Sequence, residues 1–162
     1  MHVINLSLSG PPDRLLGRLL DVALAHGIAV VAAFDRAVPD GGFPAAHRGV
    51  IAVAEAGREP VAPNVVIAPG RDTPTTVTGA RWAVVSGASY AAAHVSGLLA
   101  LLREARDQRG APAAADATAA AARDLVLRPD GQVDACASLS RIAGLCRCDC
   151  TAASAAPTVA RQ

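Results

Sequence analysis

The chain has 162 residues, enough for one domain with a real core; at 52% hydrophobic and 2% aromatic, that core is built from Ala, Val and Leu. The net charge is +1 and every basic side chain is Arg, a balance that gives no reason to expect nucleic acid or an anionic membrane as partner. The N-terminal MHVINLSLSGPP is broken by Gly and Pro too soon for a signal peptide, and no apolar run reaches membrane-spanning length without interruption.

In chain order, residues 2–8 form a β-branched, extended run. Pro11-Pro12 marks a turn, and Asp13 is placed to cap the helix that follows. Residues 14–25, RLLGRLLDVALA, carry a helical pattern with Leu15, Leu19, Val22 and Ala23 on one face, and His26-Gly27 ends it. Residues 28–33 are a continuous apolar strand of the kind covered on both faces of a parallel sheet. A polar loop, 36–42, precedes two further strands at 50–54 and 65–68. Ala83-Val84-Val85 then turns through Ser86-Gly87-Ala88-Ser89 into a Pro-free apolar run, 90–102. Its small residues Ala91, Ala92, Ala93, Ser96 and Gly97 suit a tightly packed, buried helix. After a linker at 107–115 come an Ala-rich helix, 114–123, and a short strand, 125–127, before the Pro129-Asp130-Gly131 turn.

Strands and helices in this order imply an α/β fold of three layers, a largely parallel sheet flanked by helices. The organisation read from the chain is a main body at 1–110, a helix and strand completing it at 111–135, and a Cys-rich tail at 136–162. That tail ends in the low-complexity TAASAAPTVARQ and is expected to be disordered.

The turn at 86–89 sets Ser89 at or just inside a helix N-terminus. There, free N–H groups and the positive dipole end stabilise an oxyanion developing beside a nucleophile. Ser86 or Ser89 as a plain N-cap is the alternative. The segment Gly87-Ala88-Ser89-Tyr90-Ala91-Ala92-Ala93-His94-Val95-Ser96-Gly97 resembles the nucleophile segment of subtilisin-like serine peptidases, G-T-S-M/F-A-x-P-x-V-A-G. Val3-Ile4-Asn5-Leu6-Ser7-Leu8-Ser9-Gly10 is similar to that family's V-I-N-x-S-L-G-G strand. Gly27-Ile28-Ala29-Val30-Val31-Ala32-Ala33, with Phe43-Pro44-Ala45-Ala46 and Val50-Ile51-Ala52-Val53, resembles its next strand and the Y-P-A…V-I-A-V segment. Val66-Ile67-Ala68-Pro69-Gly70 resembles its A-P-G turn.

The resemblance implies peptide-bond hydrolysis through an acyl-enzyme on Ser89, on the nucleophile-bearing C-terminal half of the catalytic domain. It implies that Ser7, Leu8, Ser9 and Gly10, with Ala32, Ala33 and Phe34, line the primary pocket and pair with a polypeptide substrate. A nucleophilic Ser needs a base and a group that orients it. The family takes these from D-[ST]-G and H-G-T segments, neither of which occurs in residues 1–162. His94 lies about 140° round the helix from Ser89 and more than a turn away, so it reads as a packing residue. His26 reads as a helix C-terminal residue and His47 as a surface one. At the oxyanion position, where the family has Gly-Asn, ungapped alignment puts Asp35 and Arg36, and a one-residue slip puts Phe34 and Asp35.

Cys136, Cys146, Cys148 and Cys150 lack the paired C-x2-C spacing of zinc sites, so no metal and no cofactor is assigned; two disulfides are the other use of four cysteines. Two functions follow. One is a serine endopeptidase, inactive as residues 1–162 alone and completed by a complementary N-terminal half carrying Asp and His. The other is a degenerate, non-catalytic module that binds peptide or is purely structural.

Overall fold

The computed structural model describes residues 1–57, 61–110 and 117–144. Four parallel strands, β1 (Val3–Leu6), β2 (Ala29–Ala33), β3 (Ile51–Glu55) and β4 (Val66–Ala68), form one sheet in that spatial order. The register is continuous: Val3 opposes Ala29, Val31 opposes Ile51, and Val53 opposes Val66. β2 is buried at every position, as its unbroken apolar sequence requires.

Alternation sorts the strand side chains between two layers. Ala29, Val31, Ala33, Ile51 and Val53 face the helix α2 (Ala88–Asp107), against Ala91, Ala92, Val95, Leu98, Leu99 and Leu102. Ala32, Ala52 and Ala54 face the other way, into a cluster with Phe34, Ala45 and Val65. The helix α1 (Arg14–Ala25) joins β1 to β2 and packs on β2. Asp13 caps it, its Oδ1 accepting from the Leu16 N–H at 2.8 Å, as the sequence indicates. This is the α/β, sheet-and-helix architecture the element order implies.

Several elements differ from expectation. The α1 face carrying Leu15, Leu19 and Val22 is turned to solvent, at 70%, 57% and 55% exposure; Leu20 is the buried residue of the helix. The 83–85 run does not join the main sheet. It lies in β6 (Arg81–Val85), paired antiparallel with β5 (Thr73–Val77), a strand its Thr and Pro content hides. On α2, Ala93, Gly97, Ala100 and Leu101 are exposed, so only one side of the small-residue run is buried.

At the C-terminal side, α3 (Ala117–Asp124) leads into a hairpin of β7 (Val126–Leu127) and β8 (Val133–Asp134). Residue 136 does not begin a disordered tail. Residues Ala135–Ala143 form α4, capped by Asp134, whose Oδ1 accepts from the Ala137 N–H at 2.8 Å. α4 ends at Gly144 in the left-handed conformation, φ 67°, and Leu139 and Ile142 pack against the core. Cys136 on this helix is disulfide-bonded. The rest of the expected tail, with the other three cysteines, lies outside the described residues. Among the described residues, no helix is long and apolar enough to cross a membrane.

Candidate active site

The site forms at the C-terminal ends of β1, β2 and β3, where the N-terminus of α2 meets them. Two glycines make the approach possible. Gly87, at φ 147°, supplies the backbone turn into α2 that an L side chain disfavours, and is the helix cap without any side-chain capping bond. Gly70 closes the packing: a Cβ there would fall 2.9 Å from each of Ala91 Cβ, Glu55 Cβ and Gly87 O. The Gly87 N–H donates to Gly70 O at 2.8 Å, tying the β4 end to the helix start.

Ser89 is therefore the second residue of α2 and caps nothing. Ser86 is not the cap either; its Oγ accepts from the Asp72 N–H at 2.9 Å. The Ser89 hydroxyl donates to Ser7 O at 3.3 Å, and the Ser7 hydroxyl donates back to Ser89 O at 2.9 Å. Asn5 Nδ2 donates to Ser7 Oγ at 3.0 Å, and Ser96 Oγ donates to Asn5 Oδ1 at 3.2 Å. This relay fastens the β1 end along one side of α2 and holds Ser89 Oγ as a protonated hydroxyl on a carbonyl.

An open cleft of about 430 Å³ lies in front of Ser89, lined by Ser7, Leu8, Ser9, Ala33, Phe34, Asp35, Arg36, Glu55 and Ala88. The structure thus gathers most of the residues singled out from the sequence. Ala32 is fully buried in β2 and does not line the cleft. Gly10 is held one step away, in backbone hydrogen bonds with Phe43. Glu55 was not singled out. It ends an apolar strand, and only the β2–β3 register brings it to the cleft.

Its partner there is Arg36. Arg36 Nη2 donates to Glu55 O at 3.0 Å, and Nε lies 3.7 Å from the Glu55 carboxylate. Asp35 bends back on its own loop, Oδ1 accepting from the Ala37 N–H at 2.9 Å. Arg36 and Asp35 are thus held by neighbours, the first on β3 and the second in its own loop.

No histidine lines the cleft among the described residues. His94 Nδ1 donates to Pro69 O at 2.7 Å, anchoring α2 to the turn before Gly70. His26 caps α1 and its Nδ1 donates to Val22 O at 2.8 Å. His47 is not a free surface residue: its ring is largely covered, stands edge-on to Phe43 and donates to Asp21 Oδ1 at 2.9 Å. Nor do the described residues hold a cluster of His, Cys, Asp and Glu fit for a metal.

Comparisons with known proteins point one way. The chain is 30% identical over 114 residues to the M-protease of Shouchella clausii, a match covering 64% of this chain and 30% of that protein. It is 32% identical over 119 residues to an intracellular serine protease of Paenibacillus polymyxa, covering 64% and 36%. The chain thus spans about a third of the length of these relatives. Among solved structures, the self-cleaved protease domain of PatA superposes with a TM-score of 0.74 at 23% identity, over 88% of this chain and 62% of that one. The prenylagaramide maturation protease PagA gives 0.70 at 20%, over 87% and 62%; at such identities both speak for the fold alone. The profile of the subtilase family matches residues 1–135, from β1 through α2 to the start of α4, and the chain belongs to that family.

Proposed function

We propose that these residues form the nucleophile-bearing part of a serine endopeptidase, with Ser89 as the nucleophile and a complementary, Asp- and His-bearing half as the partner that activates it. The observation that carries this reading is the position of Ser89: the second residue of a long helix, its hydroxyl at a cleft walled by the ends of β1 and β2. The first amides of a helix, which lack an acceptor one turn back, are suited to an oxyanion formed beside that hydroxyl. With a base present, the chemistry is acyl transfer. The base takes the Ser89 proton as Oγ adds to the peptide carbonyl, and the amine then leaves with that proton. Water hydrolyses the ester, regenerating the hydroxyl. Without a base the proton stays on Ser89 Oγ, hydrogen-bonded to Ser7 O, and the chain alone is inactive. β1, paired only with β2 among the described strands, offers an edge where a further strand of the complementary half can pair.

A second reading, a non-catalytic peptide-binding module, is favoured by one feature. Arg36, at the position the resemblance gives to the oxyanion donor, is engaged by Glu55 in the cleft wall. A single titration separates the two. The chain is mixed with the segment of a subtilase relative that carries Asp and His, complex formation is followed by size exclusion, and hydrolysis of a fluorogenic peptide is measured. The first reading expects no hydrolysis by the chain alone and hydrolysis by the complex that is lost in Ser89→Ala. A stable complex that binds peptide and never cleaves it supports the second.

A further inference from the structure

The cleft in front of Ser89 has two kinds of lining. Leu8, which is 48% exposed, Ala33, Phe34 and Ala88 are apolar, whereas Asp35, Arg36 and Glu55 are charged. Two carboxylates against one guanidinium leave a net charge of −1 among the described lining residues.

Glu55 is the carboxylate with acceptor capacity to spare. Arg36 gives its hydrogen bond to the backbone oxygen of Glu55, 3.0 Å from Nη2, while Nε stands 3.7 Å from the side-chain oxygen. A charge-assisted N–H···O bond is shorter, about 2.7–2.9 Å. Among the described residues, no hydrogen bond reaches the Glu55 carboxylate, although that side chain is only 20% exposed. Covering a carboxylate without bonding its oxygens is costly, so a donor brought into the cleft by a ligand is favoured there. Asp35 differs, with Oδ1 already held by the Ala37 N–H at 2.9 Å.

We propose that Glu55 sets the specificity of this cleft, selecting peptides with Lys or Arg at the residue whose carbonyl Ser89 attacks. Reach agrees with this. Ser89 is bonded to the β1 end, and Glu55 ends β3, two strands across, about 10 Å at about 4.8 Å per strand spacing. A long aliphatic stem with a cationic head spans most of that distance, its stem along the apolar wall and its head at the carboxylate. Asp35 adds to the negative field without being the partner. An acidic side chain would face two carboxylates in a partly covered site. The inference rests on the nucleophile reading of Ser89 for the place of that residue in the substrate, and its selection by charge is tested without cleavage.

The test measures binding to the full chain by fluorescence anisotropy, with fluorescein-labelled tetrapeptide amides that differ only in their last residue, Arg, Lys, norleucine or Glu. The proposal expects the Arg and Lys peptides to bind about tenfold more tightly than norleucine, and the Glu peptide most weakly. In Glu55→Gln, which keeps the backbone oxygen that Arg36 uses, this preference should disappear while norleucine binds as before and circular dichroism is unchanged. In the native chain the preference should also shrink at about 0.5 M salt, whatever that variant does. Equal binding across the series, a preference for Glu, a preference for Arg that survives Glu55→Gln, or no measurable binding would each overturn the proposal. The same peptides as aminomethylcoumarin substrates, given to the complex with an Asp- and His-bearing half, report cleavage separately. Preference without hydrolysis sinks the peptidase reading alone, and hydrolysis without preference sinks this one alone.

Discussion

Gly70→Ala is the most informative single substitution in the fold. The backbone of Gly70 has no left-handed φ, so Ala brings no conformational strain of its own. The effect is one of space. The new Cβ would lie 2.9 Å from Ala91 Cβ, Glu55 Cβ and Gly87 O, where ordinary contact begins at 3.4 Å. None of these atoms is the end of a flexible side chain, so the α2 start and the β3 end must part by about 0.5 Å in a packed interior. Overpacking of this kind costs about 1–3 kcal/mol. With a urea m-value of about 1–3 kcal/mol/M, the midpoint falls by roughly 1 M. The same displacement loosens the bond from the Gly87 N–H to Gly70 O and the longer one from Ser89 Oγ to Ser7 O, 2.8 and 3.3 Å in the native fold. The Gly87 amide should then exchange with solvent faster. Gly10→Ala is the control, because a Cβ there meets nothing within 4 Å. It should shift stability by less than about 0.5 kcal/mol. Equal midpoints for the two variants, with unchanged exchange at Gly87, would refute the packing argument.

Leu102→Ala, at a side chain 1% exposed beneath the sheet, should cost about 2–5 kcal/mol in urea unfolding. Acid should loosen α4 through Asp134. The Ala137 amide, with Arg128 assisting, holds the Asp134 carboxyl below its ordinary value, so its contribution is present above the unfolded value near 3.9 and lost as pH falls through the lower folded one. Amide exchange in residues 135–143 should therefore rise below about pH 4 in the native chain and stay flatter in Asp134→Asn, which keeps the cap without the charge. Asp124 has the opposite sign, since burial raises its pKa against the pull of Arg106, so the comparison is between the two proteins and not between two pH values of one.

Local signals made much of this fold readable. A continuous apolar run identified β2, Asp13 and His26-Gly27 bracketed α1, and the Ser-Gly-Ala-Ser turn located the start of α2 within a residue. What escaped depended on contacts distant in sequence. α1 carries Leu on both sides, at Leu15, Leu16, Leu19 and Leu20, so periodicity alone did not say which side meets the sheet. β5 is made of Thr and Pro and exists because β6 pairs with it. Glu55 reaches Arg36 only through the register of β2 on β3, and the reciprocal bonds between Ser7 and Ser89 join residues 82 positions apart. α4 did leave a signal, Asp134 before an amphipathic run and Gly144 after it, but the cysteines that follow drew attention to the tail.

The central proposal is that Ser89 is a nucleophile that a base and its orienting carboxylate, supplied by a complementary half, would activate, and labelling by an active-serine phosphonate tests it most directly. The chain is treated alone and after assembly with an Asp- and His-bearing subtilase half, and the modified residue is located by mass spectrometry. The account predicts no fast labelling of the chain alone and stoichiometric modification of Ser89 in the assembled complex. Rapid labelling of the chain alone that is lost in Ser89→Ala, or a complex that forms and leaves Ser89 unmodified, would contradict it.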